Sequence, residues 1–167
     1  MPSLQKPVGV AWISADALAV IVQEFRQSRP RETGGVLIGY EVTKDKDIVI
    51  TQAVGPGPRA THNETSFTPD WLYHESEIAR RYEKSGRMHT YLGDWHSHPD
   101  AATQLSLTDR HTLSKIAKHT DARIRTPLMV IIAECDPLKI QVWRYLPAQM
   151  FGMRRPKIVA LRIQHFA

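Results

Sequence analysis

The sequence predicts a mixed α/β fold in which one central sheet is flanked by helices on its faces. Three stretches with helical periodicity alternate along the chain with apolar, strand-like runs. A length of 167 residues suits one domain around a single core, and we expect that domain to span residues 1–167. The hydrophobic content of 42% and the charged content of 23% are ordinary for globular proteins.

The first third of the chain is predicted to form a strand, a helix and a hairpin. A strand from Val8 to Ile13 precedes a helix that Ser14 caps and Pro30 ends. Gly34 to Val42 is a continuous apolar run, which is typical of a strand buried on both faces. Ile48 to Val54 follows after a short turn, so the two strands are expected to pair as a hairpin.

The remaining elements are two helices and four strands. A polar loop from Gly55 to Phe67 leads to a second helix, which Thr68 is expected to cap with Pro69 at its first position. Gly86 should end that helix, and Ser106 should open the third. The strands are predicted at His89 to His96, Leu128 to Ala133, Leu138 to Tyr145 (an edge or half-exposed strand) and Ile158 to Phe166.

The net charge of +5 is interpreted as a solvated surface rather than a nucleic-acid footprint. Basic residues do cluster late in the chain, at Arg144, Arg154, Arg155 and Lys157. Apart from Phe151, no aromatic side chains accompany them as they do where proteins stack single-stranded bases. An acidic protein partner would explain the cluster equally well, and we expect no nucleic-acid partner.

Other features of the composition favour a cytoplasmic protein. One cysteine cannot form an internal disulfide, which fits a reducing compartment. No signal-peptide pattern is visible at Met1 to Val8, and no apolar run approaches the roughly 18–20 residues of a membrane helix. We therefore expect no association with a membrane.

The most specific pattern is His96-Ser97-His98-Pro99 followed by Ser106-Leu107-Thr108-Asp109. Two histidines one residue apart on an extended segment point to the same side. Asp109 adds a carboxylate oxygen thirteen positions after His96. Two imidazoles and one carboxylate leave the fourth tetrahedral position open, as in catalytic zinc sites, whereas structural sites close it, usually with thiolates. The pattern predicts a catalytic zinc site with one Zn²⁺ per chain.

Each part of this pattern also has an ordinary explanation. Ser106 to Asp109 is by itself a capping box, and a lone His-x-His arises easily by chance among eight histidines. The joint occurrence of the histidine pair, Pro99 and the serine and aspartate at this fixed interval is far less easily explained by chance. We therefore favour the metal site.

These residues resemble the JAMM (MPN+) zinc metalloprotease family. The resemblance is carried by Gly93 to Asp109 and by an upstream glutamate in Glu32-Thr33-Gly34-Gly35-Val36-Leu37-Ile38-Gly39. The segment Gly55 to Asp70 is similar to the prokaryotic branch of the family. The resemblance covers roughly Glu32 to Ile132 and implies a single MPN (JAB) domain with a cytidine-deaminase-like architecture.

The resemblance also implies a role for each site residue. His96, His98 and Asp109 would hold zinc, which lowers the pKa of bound water and polarises the scissile carbonyl. Glu32 would take the proton of that water and pass it to the departing amine. Ser106 would donate a hydrogen bond to the oxyanion. Without the resemblance, Glu32 would be interpreted as a solvated charge at the start of a strand.

The family further implies a substrate class. Its enzymes often cleave the isopeptide bond after the C-terminal glycine of a ubiquitin-like protein, and bacterial members are associated with anti-phage operons that encode E1- and E2-like proteins. We expect a ubiquitin-like protein or its conjugate as the substrate, E1- or E2-like proteins as candidate partners, and either deconjugation or precursor maturation as the reaction. The alternatives are a peptidase that processes sulfur-carrier proteins and a non-catalytic MPN scaffold.

The remaining candidates receive structural interpretations. Trp95 should pack in the core on the face opposite His96 because side chains alternate along a strand. Cys135 is expected to be a buried small apolar residue, since no base for a nucleophilic cysteine is evident. The other histidines are predicted to lie at the surface or behind the ligands; they are His62, His74, His89, His111, His119 and His165.

Overall fold

In a computed structural model, the fold is described for residues 9–42, 46–99, 102–148, 152 and 154–167. The helices are α1 (Ala15–Ser28), α2 (Trp71–Lys84) and α3 (Leu107–Lys118), with a short 3-10 helix at Thr120–Ala122. The strands are β1 (Val10–Ser14), β2 (Gly34–Val42), β3 (Asp47–Val54), β4 (Thr61–His62), β5 (Phe67–Thr68), β6 (Thr90–His98), β7 (Leu128–Ala133), β8 (Lys139–Leu146) and β9 (Lys157–Phe166).

Seven of these strands form one mixed sheet in the order β1-β3-β2-β6-β7-β8-β9. The sheet is closed because β9 also pairs with β1, in parallel. The β1–β3 and β6–β7 pairs are parallel as well, and the others are antiparallel. The predicted mixed sheet and the β2–β3 hairpin are confirmed. Of the two alternatives for β8, the edge strand is wrong, because β8 pairs with β7 on one side and β9 on the other, whereas the half-exposed strand agrees with its partial burial.

The helices cover both faces of the sheet. On one face, α1 packs through Ala17, Ile21 and Phe25 in the largest core cluster, which also contains Leu37 of β2 and Val130 of β7. Residues next in sequence point the other way, as alternation along a strand requires. Val36 and Ile38 of β2 pack with residues of α2, and Met129 and Ile131 of β7 pack with Leu113 of α3. The face covered by α2 and α3 also carries the candidate site.

Two of the predicted helix starts are confirmed and one is displaced. The side chain of Ser14 accepts from the backbone amide of Ala17, and Ser106 caps α3. The second helix begins two residues later than predicted, because Asp70 rather than Thr68 is its N-cap. Asp70 is a better cap here, since its buried carboxylate accepts from the amide of Tyr73 and also pairs with Arg59.

The structure also tests the predicted burial of two single residues. Trp95 is 1% exposed in the main core, as predicted. Cys135 is half-buried rather than buried, so that expectation is wrong. The predicted turn from Thr43 to Asp47 and the basic segment 144–157 lie partly outside the described residues. None of the helices formed by the described residues combines the length and the apolar character needed to cross a bilayer.

Candidate metal centre

Strand β6 presents His96 and His98 on the same side of the sheet. The strand continues to His98, two residues further than predicted, and it runs between β2 and β7. His96 lies opposite Gly34 of β2, and His98 lies beside Ala133 of β7. The two imidazole ring centroids are 5.3 Å apart. Because β6 is hydrogen-bonded along both sides, the separation of the two rings is set by a rigid element rather than by a loop.

Asp109 completes a cluster with the two histidines. It lies in the first turn of α3 and is only 3% exposed. Its Oδ1 is 3.2 Å from His96 Nδ1, and its Oδ2 is 3.2 Å from His98 Nε2. One ligand atom from each of the three residues lies within 4.8 Å of the other two. The structure therefore brings together the three residues that the sequence predicts as metal ligands.

The capping box of α3 orients the Asp109 carboxylate. The amide and the hydroxyl of Ser106 both donate to Asp109 Oδ2, over 2.8 and 2.7 Å, and the amide of Asp109 donates to Ser106 Oγ over 3.1 Å. The two interpretations of this segment are thus compatible, since one aspartate both caps the helix and faces the histidines. The Ser106 hydroxyl is engaged by Asp109 in this arrangement, and its role towards an oxyanion stays a prediction.

Glu32 approaches the same cluster from the segment just before β2. Its Oε2 is 3.0 Å from His96 Nε2, so the His96 ring lies between the Glu32 and Asp109 carboxylates. The backbone next to Glu32 is fastened to β6: the amide of Thr33 donates to Ser97 Oγ over 2.8 Å, and the amide of Ser97 donates to the carbonyl of Thr33 over 2.9 Å. The fully buried Ser97 therefore holds the glutamate segment against the histidine strand.

The β4–β5 hairpin holds Glu32 from its other side. The amide of Glu32 donates to the carbonyl of Asn63 over 2.7 Å, and His62 Nδ1 donates to the carbonyl of Glu32 over 2.9 Å. The Phe67 ring lies 6.2 Å from the His96 ring, between centroids. The sequence predicts only a polar loop here, because paired strands of two residues each carry no detectable periodicity. His62 is predicted at the surface or behind the ligands; it is half-buried and lies behind Glu32 instead.

The pKa values of the two histidines and of Asp109 are shifted mainly by one another. Burial disfavours a charged His96, but the carboxylates of Asp109 and Glu32 outweigh burial and raise the pKa of His96 to about 9. The Asp109 carboxylate likewise raises the pKa of His98. Burial opposes ionisation of Asp109, yet hydrogen bonds from His96, His98 and Ser106 hold its pKa far below the ordinary value. The site thus favours positive charge between its acidic groups.

The donor chemistry fits zinc. Two imidazole nitrogens and one carboxylate oxygen match the ligand types of catalytic zinc sites. His98 Nδ1 donates to the carbonyl of Ala102 over 3.1 Å, which leaves the Nε2 lone pair facing Asp109. A hydrogen bond of this kind on the other ring nitrogen is the usual support of a metal-binding histidine. Together with the geometry, it indicates that these three residues could hold a zinc ion.

Comparisons with known proteins identify the family of this chain. A family model described as prokaryotic homologs of the JAB domain matches residues 14–146. A probable metalloprotease, y4qB, of Sinorhizobium fredii is 37% identical over 123 residues, which are 72% of this chain and 74% of that protein. A solution structure of protein DSY2949 from Desulfitobacterium hafniense has a TM-score of 0.65 at 16% identity and covers 94% of this chain and 93% of that one. That structure shares the fold.

Two further relatives are named CD-NTase/cGAS isopeptidases. The Vibrio cholerae protein is 32% identical over 81 residues, or 48% of this chain and 51% of its own length. The Escherichia coli protein is 31% identical over 90 residues, or 53% of this chain and 56% of its own length. The matched segment thus spans about half of each of these two relatives.

We expect one zinc ion per chain, held by His96, His98 and Asp109. His96→Ala and Asp109→Ala should each lose stoichiometric zinc, because each removes one of three protein ligands. Elemental analysis after gel filtration measures this directly. His111→Ala is the matched control, since His111 is an exposed histidine on the same helix as Asp109. Wild-type zinc content in either site variant would remove that residue from the ligand set.

Proposed function

The chain belongs to the family of prokaryotic homologs of the JAB domain, and from this membership we propose that it is a zinc-dependent peptidase that hydrolyses amide bonds. More specifically, we propose an isopeptidase that cleaves after the C-terminal glycine of a ubiquitin-like protein. The observation that carries the proposal is the approach of the Glu32 carboxylate to within 3.0 Å of His96, in the cluster that His98 and Asp109 complete. A three-residue donor set with an adjacent base is what metal-assisted amide hydrolysis requires.

Each residue of the site has a separate role in the proposed hydrolysis. Zinc bound to the three donors would lower the pKa of water and polarise the scissile carbonyl. Glu32 accepts the proton of the attacking water at a carboxylate oxygen and returns it to the departing amine. The Ser106 hydroxyl donates a hydrogen bond to the developing oxyanion, so it must first break its hydrogen bond to Asp109 Oδ2. The side chains of His62 and Ser97, which bond to the backbone of Glu32 and of Thr33, keep Glu32 in place during the proton transfer.

The names of two relatives support an isopeptidase. An isopeptidase acts on a protein attached through a side-chain amide, so its substrate is a conjugate. A ubiquitin-like protein or a similarly conjugated protein is the proposed substrate, with E1- and E2-like proteins as proposed partners. A peptidase that processes sulfur-carrier proteins remains the alternative enzyme. The complete donor set and the nearby Glu32 argue against a non-catalytic scaffold.

The closed sheet restricts where a substrate tail could bind. An extended tail that ends in glycine offers mainly its backbone, and backbone recognition usually adds a strand to a sheet edge. Among the described residues, the seven-stranded sheet leaves no such edge, because β1 and β9 pair with each other. The β4–β5 hairpin is a separate two-stranded sheet that contacts the backbone of Glu32. We propose that the tail pairs with this hairpin.

Glu32→Gln should abolish cleavage while leaving fold and zinc content intact. The amide cannot accept a proton, but it has nearly the same shape and is not one of the three donors. The expected loss is at least 100-fold in kcat, as is typical for loss of a general base. A fluorogenic peptide or a conjugate assay measures the rate. Glu64→Gln is the matched control, since Glu64 is an exposed glutamate next to the same hairpin. Turnover near that of the wild type in Glu32→Gln would refute the mechanism.

Ser106 has two roles that substitutions can separate. Ser106→Ala should lower the free energy of unfolding by about 1 kcal/mol because it removes a helix cap, whereas Ser106→Gly should lower it by only a few tenths. Both remove the proposed oxyanion donor, so both should reduce kcat by about 100-fold or more. Melting curves and rates are measured together. An active Ser106→Gly enzyme would restrict Ser106 to capping α3 and orienting Asp109.

The residue before the cleaved bond should be limited to glycine. A tail channel formed by the hairpin and packed against the Phe67 ring should be too narrow for a side chain at that position. Replacing the last glycine of a peptide substrate with alanine and then leucine should lower kcat/KM progressively. The same three peptides with changes two positions earlier serve as the control. Equal rates across the series would indicate a less selective peptidase.

A further inference from the structure

We propose that the outward side of α3 is a docking surface for an acidic partner protein. Residues 110–125, which cover most of α3 and the segment after it, hold five lysines and arginines but only one acid, Asp121. This short segment therefore carries most of the net charge of +5. All five basic side chains are exposed and together form the basic face; they are Arg110, Lys115, Lys118, Arg123 and Arg125.

The basic face has no acidic partner within the described part of the molecule. None of its five side chains forms an ion pair with a described residue. The α2 region differs, because Glu77 pairs with Arg80 and Arg81. Just beyond that helix, Arg87 pairs with Glu83. An acidic partner at α2 would have to displace these pairs, whereas one at α3 would not.

Two residues of the basic cluster late in the sequence are directed elsewhere. Arg144 is 2% exposed, and its guanidinium donates to Glu41 and Thr126 within the fold. Lys157 is exposed, but it alternates with Ile158, which packs towards α3, so Lys157 leaves the opposite face of β9. The acidic partner that the composition suggests is therefore assigned to α3 rather than to that late cluster.

The composition of the surface favours a protein over a nucleic acid. Residues 110–125 contain no phenylalanine, tyrosine or tryptophan, the side chains on which proteins stack single-stranded bases. At the start of the same helix, Leu107 is 86% exposed. Protein interfaces commonly combine an apolar contact with charged residues at the rim. Leu107 and the basic face supply both elements on one helix.

The basic face begins beside the candidate metal centre. Arg110 directly follows Asp109, but Arg110 is exposed whereas Asp109 is buried. Because an α-helix rises 1.5 Å per residue, Lys118 lies about 12 Å along the helix axis from Arg110. One end of a docked partner would therefore lie next to the three-donor cluster. Delivery of a scissile bond to the metal by this partner rests on the proposed function, whereas the docking does not.

Binding of a fluorescein-labelled, glutamate-rich peptide, followed by fluorescence anisotropy, tests the surface. The comparison peptide has glutamine at every glutamate position. At low salt we expect the glutamate peptide to bind the wild-type protein about tenfold tighter, and added salt should weaken it because exposed charges are screened. Lys115→Glu combined with Lys118→Glu should weaken this binding by about tenfold.

Arg26→Glu combined with Lys84→Glu is the matched control. Arg26 and Lys84 are exposed residues in the last turns of α1 and α2, as Lys115 and Lys118 are in the last turn of α3. Both double variants therefore change the net charge and the charge at a helix end alike. The control should bind the glutamate peptide within about twofold of the wild type. Equal weakening in the two variants would reduce the effect to net charge and overturn the proposal.

A milder substitution guards against loss of folding. Lys115→Gln combined with Lys118→Gln removes the charges without adding repulsion, and it should weaken binding by about threefold with a melting curve like that of the wild type. Unchanged binding in this variant would contradict the docking assignment. An oligonucleotide of the same net charge as the peptide, single- or double-stranded, should bind more weakly. Tighter binding that requires the same lysines would assign the basic face to nucleic acid instead.

Cleavage of a short uncharged peptide separates docking from hydrolysis. Both Glu double variants should cleave it at the wild-type rate, because neither changes a residue of the metal centre. A rate that falls only with Lys115→Glu and Lys118→Glu would show that these residues act on the site, which excludes a separate docking role. If no variant cleaves but binding depends on Lys115 and Lys118, the docking assignment stands and the proposed hydrolysis fails.

Discussion

The close approach of β2 to its neighbours is the constraint on which the site depends. Gly35 lies opposite Trp95, and a Cβ at this glycine would fall 1.9 Å from the carbonyl oxygen of Val54 and 2.6 Å from the Trp95 indole nitrogen. Only glycine lets that indole reach Val54, to whose carbonyl it donates over 2.9 Å. The contact fixes the register between β2 and β6. That register in turn places Gly34 opposite His96 and sets the position of Glu32.

Because side chains alternate along β6, the fixed register sends some of them into the apolar core and the others towards the candidate site. Trp95 points into the apolar layer beneath α1, whereas its neighbours Asp94 and His96 point towards α2 and α3. The polar side chains of the site thus project from a strand whose other face is held in the core by the buried Trp95 ring. Groups held this way lose little freedom when a substrate binds, because folding has already ordered them.

Local signals in the sequence account for much of this structure. Periodicity predicts the helices and the long strands, and the spacing from His96 to Asp109 predicts a cluster that the fold does assemble. The closure of the sheet could not be predicted, because β1 and β9 come from opposite ends of the chain and their pairing leaves no local pattern. The predicted start of α2 is two residues early because Thr68 satisfies the capping rule in the sequence as well as Asp70 does. The structure distinguishes them, since Thr68, in β5, pairs with β4 and Asp70 contacts Arg59.

The supporting residues of the site are the least predictable part. His62 contacts Glu32 across thirty positions of sequence, and His74 lines a cavity beside the donor cluster only because α2 packs over β6. Neither residue lies at a sequence spacing from another site residue that would predict a contact between them. Asp94 lies two residues before His96, and its place in the wall of a cavity beside the donor cluster depends on where two helices begin.

Asp109 belongs both to the capping box of α3 and to the cluster with His96 and His98, and this sharing bears on how such a domain can change over evolutionary time. Asp109 closes the capping box of α3, so replacing it weakens the fold as well as the chemistry. The Glu32 side chain contacts only the His96 ring among the described hydrogen bonds and ion pairs, while its backbone carries the structural contacts. Selection for stability therefore protects the aspartate and leaves the glutamate exposed to drift. A lineage that kept this domain only as a binding module would lose the Glu32 carboxylate before the Asp109 carboxylate.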